Sequence, residues 1–157
     1  MTRCLPALLL ALAPLAAIAE PVKIGHKVPY ANPGEVREAI RNECDLENLI
    51  AKALLTEGGS KVTAVDDVKG AKGRVFDAKI VSVMGIGGPH APSSVLVKGE
   101  LRDHGKVIGT VTDRRNTTIG MFGGTCSKLE RAGRKIAEDI AHWLDAPGMD
   151  TLLGNAK

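Results

Sequence analysis

Three consecutive segments with alternating apolar and polar residues place the strongest constraint on what this 157-residue chain can fold into. They are residues 74–84, 94–103 and 106–114. In the first two, apolar side chains fall on one face and charged side chains on the other, and β-branched residues dominate the third. The short connection Asp103-His104-Gly105 allows the last two segments to pair directly. The pattern therefore predicts an antiparallel meander with one solvated face.

A first helical region precedes this meander. Apolar residues recur at three- and four-residue steps over residues 35–56, with a slip near Cys44 and Asp45. Because Asp45 can accept a hydrogen bond at a new helix start, we expect a break there and a main helix over residues 46–57. The pair Gly58-Gly59 is expected to end that helix.

A second helix follows the meander, where an apolar stripe extends over residues 126–144. Ser127 and Glu130 have the spacing of a capping box, and Thr125 is an alternative cap. Two shorter strands are expected at 22–28 and 61–65, and a short tail at 150–157. These elements predict an α/β (α+β) two-layer sandwich, in which a mainly antiparallel sheet carries two helices packed on one face.

The first 19 residues have the layout of a cleaved signal peptide. A basic start precedes an apolar stretch over residues 5–15, which is too short to span a bilayer, and Ala17-Ile18-Ala19 supplies small residues for cleavage. Residues 16–20 contain no cysteine, so no lipid anchor is expected there. We therefore expect cleavage after Ala19 and one domain over residues 20–157. The product is expected to be periplasmic or secreted, with no membrane insertion.

Two cysteines, Cys44 and Cys126, remain after that cleavage. In an oxidising compartment such a pair most often forms a disulfide. A bridge across this separation would stabilise the fold by roughly 4 kcal/mol in the chain-entropy model. The alternative is a redox-active or metal-binding thiol pair, which the absence of a Cys-x-x-Cys spacing disfavours.

Charge and aromatic content exclude some function classes. Loss of Arg3 with the leader leaves the mature chain a net charge of +2, one less than the +3 of the full chain, and its basic residues are spread among acids. Aromatic residues make up only 3% of the chain, which argues against a stacking surface for single-stranded nucleic acid or sugar. No nucleic-acid partner is therefore expected.

Candidate chemistry is sparse along the chain. The four histidines lie in different elements without the paired spacing of a zinc-binding helix, so no metal and no cofactor is expected. Nothing in the sequence fixes the separation of Asp66, Asp67 and Asp113 as paired carboxylates. We assign no catalytic residue, although active sites assembled from sequence-distant residues leave an enzyme open.

The glycine-rich loop before the second helix is the main binding candidate, and three interpretations of it stay open. Its backbone N–H groups could bind an anion at the helix start, with arginines arriving from the preceding strand. Alternatively, its glycines only permit a tight passage into the helix, or its apolar tip meets a partner protein. The residues concerned are Gly123, Gly124, Thr125, Arg114, Arg115, Met121 and Phe122.

Several short sequences resemble a family of small exported bacterial proteins of unknown function. They are Gly-Gly-Thr-Cys-Ser-Lys-Leu at 123–129, Asp-Ile-Ala-His-Trp-Leu at 139–144, Asn-Glu-Cys-Asp-Leu at 42–46 and Val-Lys-Gly-Glu-Leu at 97–101. The resemblance extends from about Cys44 to residue 154, and the two cysteines of the family fall at Cys44 and Cys126. The loop at 85–92 departs from the family, whose members often carry an aromatic residue there.

The order of elements is more distantly similar to periplasmic domains of envelope-assembly lipoproteins and to the amino-terminal domain of TolB. Those domains bind partners, so the resemblance implies a non-enzymatic accessory or binding module of the cell envelope, acting on an unknown envelope protein or small ligand. The alternatives are a small periplasmic hydrolase or transferase, and a secreted inhibitor acting on another cell.

Overall fold

A computed structural model describes residues 20–88, 91–117 and 124–157, so the expected leader lies outside the described residues. Six strands and three α-helices are present in these ranges: β1 (Val22–Gly25), α1 (Glu38–Glu43), α2 (Leu46–Gly58), β2 (Val62–Val65), β3 (Arg74–Gly85), β4 (Ser93–Asp103), β5 (Lys106–Thr117), α3 (Thr125–Trp143) and β6 (Thr151–Gly154). Within them, none of the helices is both long and apolar enough to cross a membrane.

The six strands form one mixed sheet in the order β2-β1-β3-β4-β5-β6. β1 pairs in parallel with both β2 and β3, and β6 pairs in parallel with β5, so the expectation of a mainly antiparallel sheet is wrong. The physical reason lies in the connections. A helix lies between β1 and β2 and another between β5 and β6, and a helical crossover returns the chain in the same direction.

The predicted meander forms the centre of this sheet. β3 pairs antiparallel with β4, and β4 with β5, so that Ile80, Val97 and Asp113 lie side by side across the three strands. His104 (φ 48°) and Gly105 (φ 83°) form the tight turn between β4 and β5. The observed strands extend one to three residues beyond their predicted ends because pairing with neighbouring strands continues there.

The predicted helix break lies where it was expected, but it has a different cause. Asp45 adopts a left-handed backbone (φ 43°) between α1 and α2, and its side chain makes no capping bond to the backbone. Instead, Asn48 Nδ2 donates to Asp45 Oδ1 at 2.5 Å. α3 likewise begins after Gly124 without a side-chain cap, so the capping roles expected of Ser127 and Thr125 are also wrong.

The predicted tail is a strand. Thr151–Gly154 pairs with residues 111–114 of β5, where a short tail was expected. Trp143 at the end of α3 contributes to this placement, since its Nε1 donates to Thr151 Oγ1 at 3.2 Å and its ring packs against Phe76 at 5.8 Å. Sequence periodicity could not identify a four-residue edge strand whose pairing depends on a tryptophan in another element.

Buried apolar residues from the helices and from alternate strand positions form a shared core. α2 and α3 contact each other closely, because a Cβ placed on Gly133 would lie 3.1 Å from both Ile50 and Leu49. The disulfide joins the same two regions. Cys44 lies with Asp45 in the short break between α1 and α2, and Cys126 is in the first turn of α3. It thereby connects chain segments that are 82 residues apart.

Loss of this disulfide should destabilise the fold equally from either side. We expect Cys44→Ser and Cys126→Ser each to lower the free energy of unfolding by about 4 kcal/mol, because both changes release the same loop in the unfolded chain. The measurement is urea unfolding followed by circular dichroism. The double variant, and the wild type in a thiol reductant, serve as controls and should lose no more than either single variant. Unequal or additive losses would contradict a shared bridge.

Candidate functional site

A crevice lies at the position where the strand order of the sheet reverses. The chain leaves β1 through α1 and α2 to reach β2 on one side, and then crosses to β3 on the other side of β1. In open α/β sheets, ligands bind outside the carboxyl ends of strands at such a reversal. The observed crevice has a volume of about 640 Å³ and lies next to the carboxyl ends of β1 and β2.

The crevice exists because β1 and β3 separate early. Their paired register is confined to Lys23 and Val75, after which residues 26–28 diverge from β3. The chain returns to β3 two residues later, where Ile80 N donates to Pro29 O at 2.9 Å and Ala31 N donates to Ile80 O at 2.8 Å. The opening is therefore bounded at both ends by backbone pairing.

The lining of the crevice combines apolar and charged residues. Its apolar part comes from the core and from the segments after β1 and β2, and consists of Ile24, Val28, Pro29, Leu54, Val68, Phe76 and Ala78. Its charged part consists of His26, Lys27, Asp66, Asp67, Lys69, Asp77 and Lys79. Phe76 and Ala78 are buried, whereas Lys79 is exposed, so the crevice lies beside β3 and borders both faces of the sheet.

Tyr30 fixes the far wall of the crevice. Its backbone N–H donates to Glu47 Oε1 at 3.0 Å, which ties the returning segment to the first turn of α2. Burial, together with the charge of Glu47, raises the pKa of Tyr30 to about 12, so its hydroxyl stays protonated at any physiological pH. The wall therefore carries no titrating tyrosine.

A second cavity of about 740 Å³ lies at the opposite ends of β1 and β2. Its lining includes Glu20 and Pro21, the first residues after the expected leader, and an ion pair in which Lys61 Nζ lies 2.5 Å from Asp145 Oδ1. The amino ends of parallel strands are not where ligands usually bind in such sheets. We therefore place the candidate site in the crevice.

The structure separates the two arginines of the predicted anion site. Arg115 lies on the same side of β5 as Asp113 and pairs with Asp139 of α3, whereas Arg114 is exposed on the opposite side. Gly124 and Thr125 are at the start of α3. Gly123, Met121 and Phe122 lie outside the described residues, so anion or partner binding at this loop stays a prediction.

A buried carboxyl pair links β5 to α3. The Asp113 side chain is fully buried, and Asp139 beside it is 16% exposed and accepts hydrogen bonds from Nε and Nη2 of Arg115. Neither carboxyl oxygen of Asp113 has a hydrogen-bond donor among the described residues, and Arg115 Nε lies 3.9 Å from Oδ1. Gly154 (φ 59°) closes the space, since a Cβ there would lie 2.6 Å from Asp113 Oδ1.

This environment favours a protonated Asp113. Burial and the neighbouring Asp139 carboxylate raise the pKa of Asp113 to about 7, against the opposing effect of Arg115 and Lys135. A proton on Asp113 removes the repulsion between the two carboxylates and makes Asp113 a donor toward Asp139. The pair therefore has a structural role inside the protein, with no access to a substrate at Asp113.

Sequence reasoning missed both groups of residues. It considered Asp113 with Asp66 and Asp67, whereas the fold places Asp113 beside Asp139. For the crevice a signal was available: two short strands on either side of a helix form a parallel unit, and polar residues follow each strand at His26 and Asp66. Within the described residues, no group of three or more His, Cys, Asp or Glu is placed to hold a metal ion.

The sequence matches no family model and no curated protein. A solved structure from Xanthomonas campestris, described by the family model DUF330, is similar in fold with a TM-score of 0.54 at 8% identity. The match covers 87% of this chain and 91% of that one. At this identity the likeness shows the fold alone, and the sequence resemblance to small exported proteins stays a prediction.

Two further structures are less similar. The PelC dodecamer from Paraburkholderia phytofirmans has a TM-score of 0.47 at 17% identity, covering 78% of this chain and 88% of that chain. A minor lipoprotein from Acinetobacter baumannii has a TM-score of 0.41 at 13% identity, covering 82% and 92%. Neither similarity is close enough to support an inference about this chain.

The raised pKa of Asp113 predicts the direction of a pH effect on stability. An unfolded aspartate titrates near 3.8 and Asp113 in the fold near 7, so the folded chain holds the extra proton between these values. The contribution of Asp113 to the free energy of unfolding is therefore greatest below pH 3.8 and falls as the pH rises through about 7, by a total of about 4 kcal/mol.

Asp113→Asn should remove this dependence, because an amide keeps a donor for Asp139 and does not titrate. We expect the variant to gain stability relative to the wild type between pH 5 and pH 8, measured by urea unfolding. Asp103→Asn, at the exposed end of β4, is the matched control and should show no such gain. A pH profile for Asp113→Asn that is parallel to the wild type would contradict the assignment.

Proposed function

We propose that this chain is exported and acts as a non-enzymatic binding module of the cell envelope, with the crevice beside β1 as its binding site. The observation that carries the proposal is the position of the crevice at the reversal of strand order, where the backbone itself creates an opening. Its volume of about 640 Å³ is within the range of ligand-binding cavities.

The chemistry of the crevice supports binding over catalysis. His26 Nε2 lies 3.2 Å from Asp66 Oδ1, which is an arrangement that an acid–base catalyst can use, but the two side chains are 63% and 102% exposed. Catalytic acids and bases are usually held in place and partly desolvated. The described residues that line the crevice include no serine, threonine or cysteine, the hydroxyl and thiol nucleophiles that a histidine–carboxylate pair most often activates.

The export part of the proposal rests on the sequence and is compatible with the disulfide. The first 19 residues have the layout of a signal peptide, and disulfides persist mainly in oxidising compartments such as the periplasm. A structural bridge between α2 and α3 suits a protein that must keep its fold outside the cytoplasm. The secreted-inhibitor alternative stays a prediction without a structural observation in its favour.

Native mass spectrometry of the protein, released gently from the periplasm of the organism that makes it, tests the proposal. We expect the mass of residues 20–157 less two hydrogens, together with a co-purifying molecule. The same chain produced without residues 1–19 in a reducing cytoplasm, and purified identically, is the control for adventitious binding. A mass that retains residues 1–19 would contradict export, and a bare protein would contradict the binding role.

A further inference from the structure

The acidic side chains of the crevice already have partners. Asp66 lies 3.2 Å from His26, and Asp67 Oδ1 accepts a hydrogen bond from the Lys69 backbone N–H at 2.9 Å. Asp77 Oδ2 lies 3.8 Å from Nη2 of Arg102. Each of these three carboxylates therefore has a hydrogen-bond or ion-pair contact within the chain.

The lysines of the crevice are in the opposite situation. Lys27, Lys69 and Lys79 are all exposed, and none of their ammonium groups is paired with a carboxylate in the described parts of the chain. Moreover, Lys79 of β3 lies directly opposite Lys98 of β4. Like charges in opposite positions destabilise a sheet, so a bound anion would reduce the repulsion between these two lysines.

We propose that the crevice binds a small organic anion with an apolar body, namely a single-chain carboxylic acid. The apolar body packs against Pro29 and Val68, the apolar lining residues that keep exposed surface, while the carboxylate lies among Lys27, Lys69 and Lys79. Burial of the apolar body supplies most of the affinity, because exposed ion pairs are weak and screened by salt. The lysines select the sign of the charge. This inference rests on the proposed binding function and adds the ligand class.

Decanoate is the probe, titrated at neutral pH into the ¹⁵N-labelled chain 20–157 with its disulfide intact. We expect shifts in the backbone amides of residues 25–28 and 66–69 that saturate with decanoate. Decyltrimethylammonium, with the same apolar chain and the opposite charge, should bind about 10-fold more weakly than decanoate. Decanol should bind more weakly than decanoate, since it lacks the charge.

A matched pair of variants isolates the lysines. Lys27→Glu combined with Lys69→Glu should weaken decanoate binding by about 10-fold. Lys52→Glu combined with Lys106→Glu makes the same change in net charge at exposed positions that do not line the crevice, and should bind decanoate as the wild type does. All four side chains are exposed, so both variants should keep the fold, which their unfolding curves check.

Any of three results would contradict the ligand class. Decanoate could leave the amides of the crevice unshifted, decyltrimethylammonium could bind as tightly as decanoate, or the two double variants could lose decanoate affinity equally. The proposed function is judged separately by the co-purifying molecule. If decanoate causes no amide shifts and the co-purifying molecule is not an anion, the anionic ligand class is wrong while the proposed binding role is supported. Decanoate that binds as expected, while the periplasmic protein is bare, supports the ligand class of the crevice and contradicts the proposed binding role in the periplasm.

Discussion

The parallel pairing of β1 on both of its edges is the constraint on which the rest of the structure depends. β1 has only four residues, and Val22 and Ile24 are each 2% exposed, so burial of these two side chains holds the strand in the sheet. Four residues pair with β2, but the register with β3 is confined to Lys23 and Val75. Because β1 pairs along its length with β2 but only briefly with β3, the crevice opens between β1 and β3.

Three contacts connect α3 to the rest of the fold. α3 is connected to α2 by the disulfide, to β5 through Asp139 and Arg115, and to β6 through Trp143. The disulfide and the contact between Asp139 and Arg115 join segments that are 82 and 24 residues apart. The crevice takes its lining from the segments that follow the short strands β1 and β2, and from β3 and Leu54 of α2. The candidate site therefore combines loops with side chains of the rigid fold that carries them.

Much of this fold was predictable because its signals are local. Alternation identified β3, β4 and β5, periodicity identified α2 and α3, and the two cysteines were correctly paired. Strand direction was not predictable in the same way. A strand was expected at 22–28, where β1 lies, whereas β6 was expected to be a tail. The parallel pairing of both follows from the crossovers that place them, which only the assembled fold reveals. The same limit applies to Asp113, whose partner Asp139 is 26 residues away on another element.

The candidate site was harder to predict than the fold. Sequence reasoning drew attention to the glycine-rich loops, because glycine is conspicuous in a sequence, whereas the crevice is lined by residues with ordinary local patterns such as Val28 and Lys69. These residues lie together because the strand order of the sheet reverses at β1. The order of the strands along the chain does not by itself predict that reversal.

The most direct measurement of the central claim is a crystal structure of the protein purified, without refolding, from the organism that makes it. The account predicts β1 paired between β2 and β3, and electron density for an organic anion in the crevice. The apolar part should lie against Pro29 and Val68, and the charged end within about 4 Å of the ammonium group of Lys27 or Lys69. A ligand bound at another surface, with the crevice holding only water, would contradict the account.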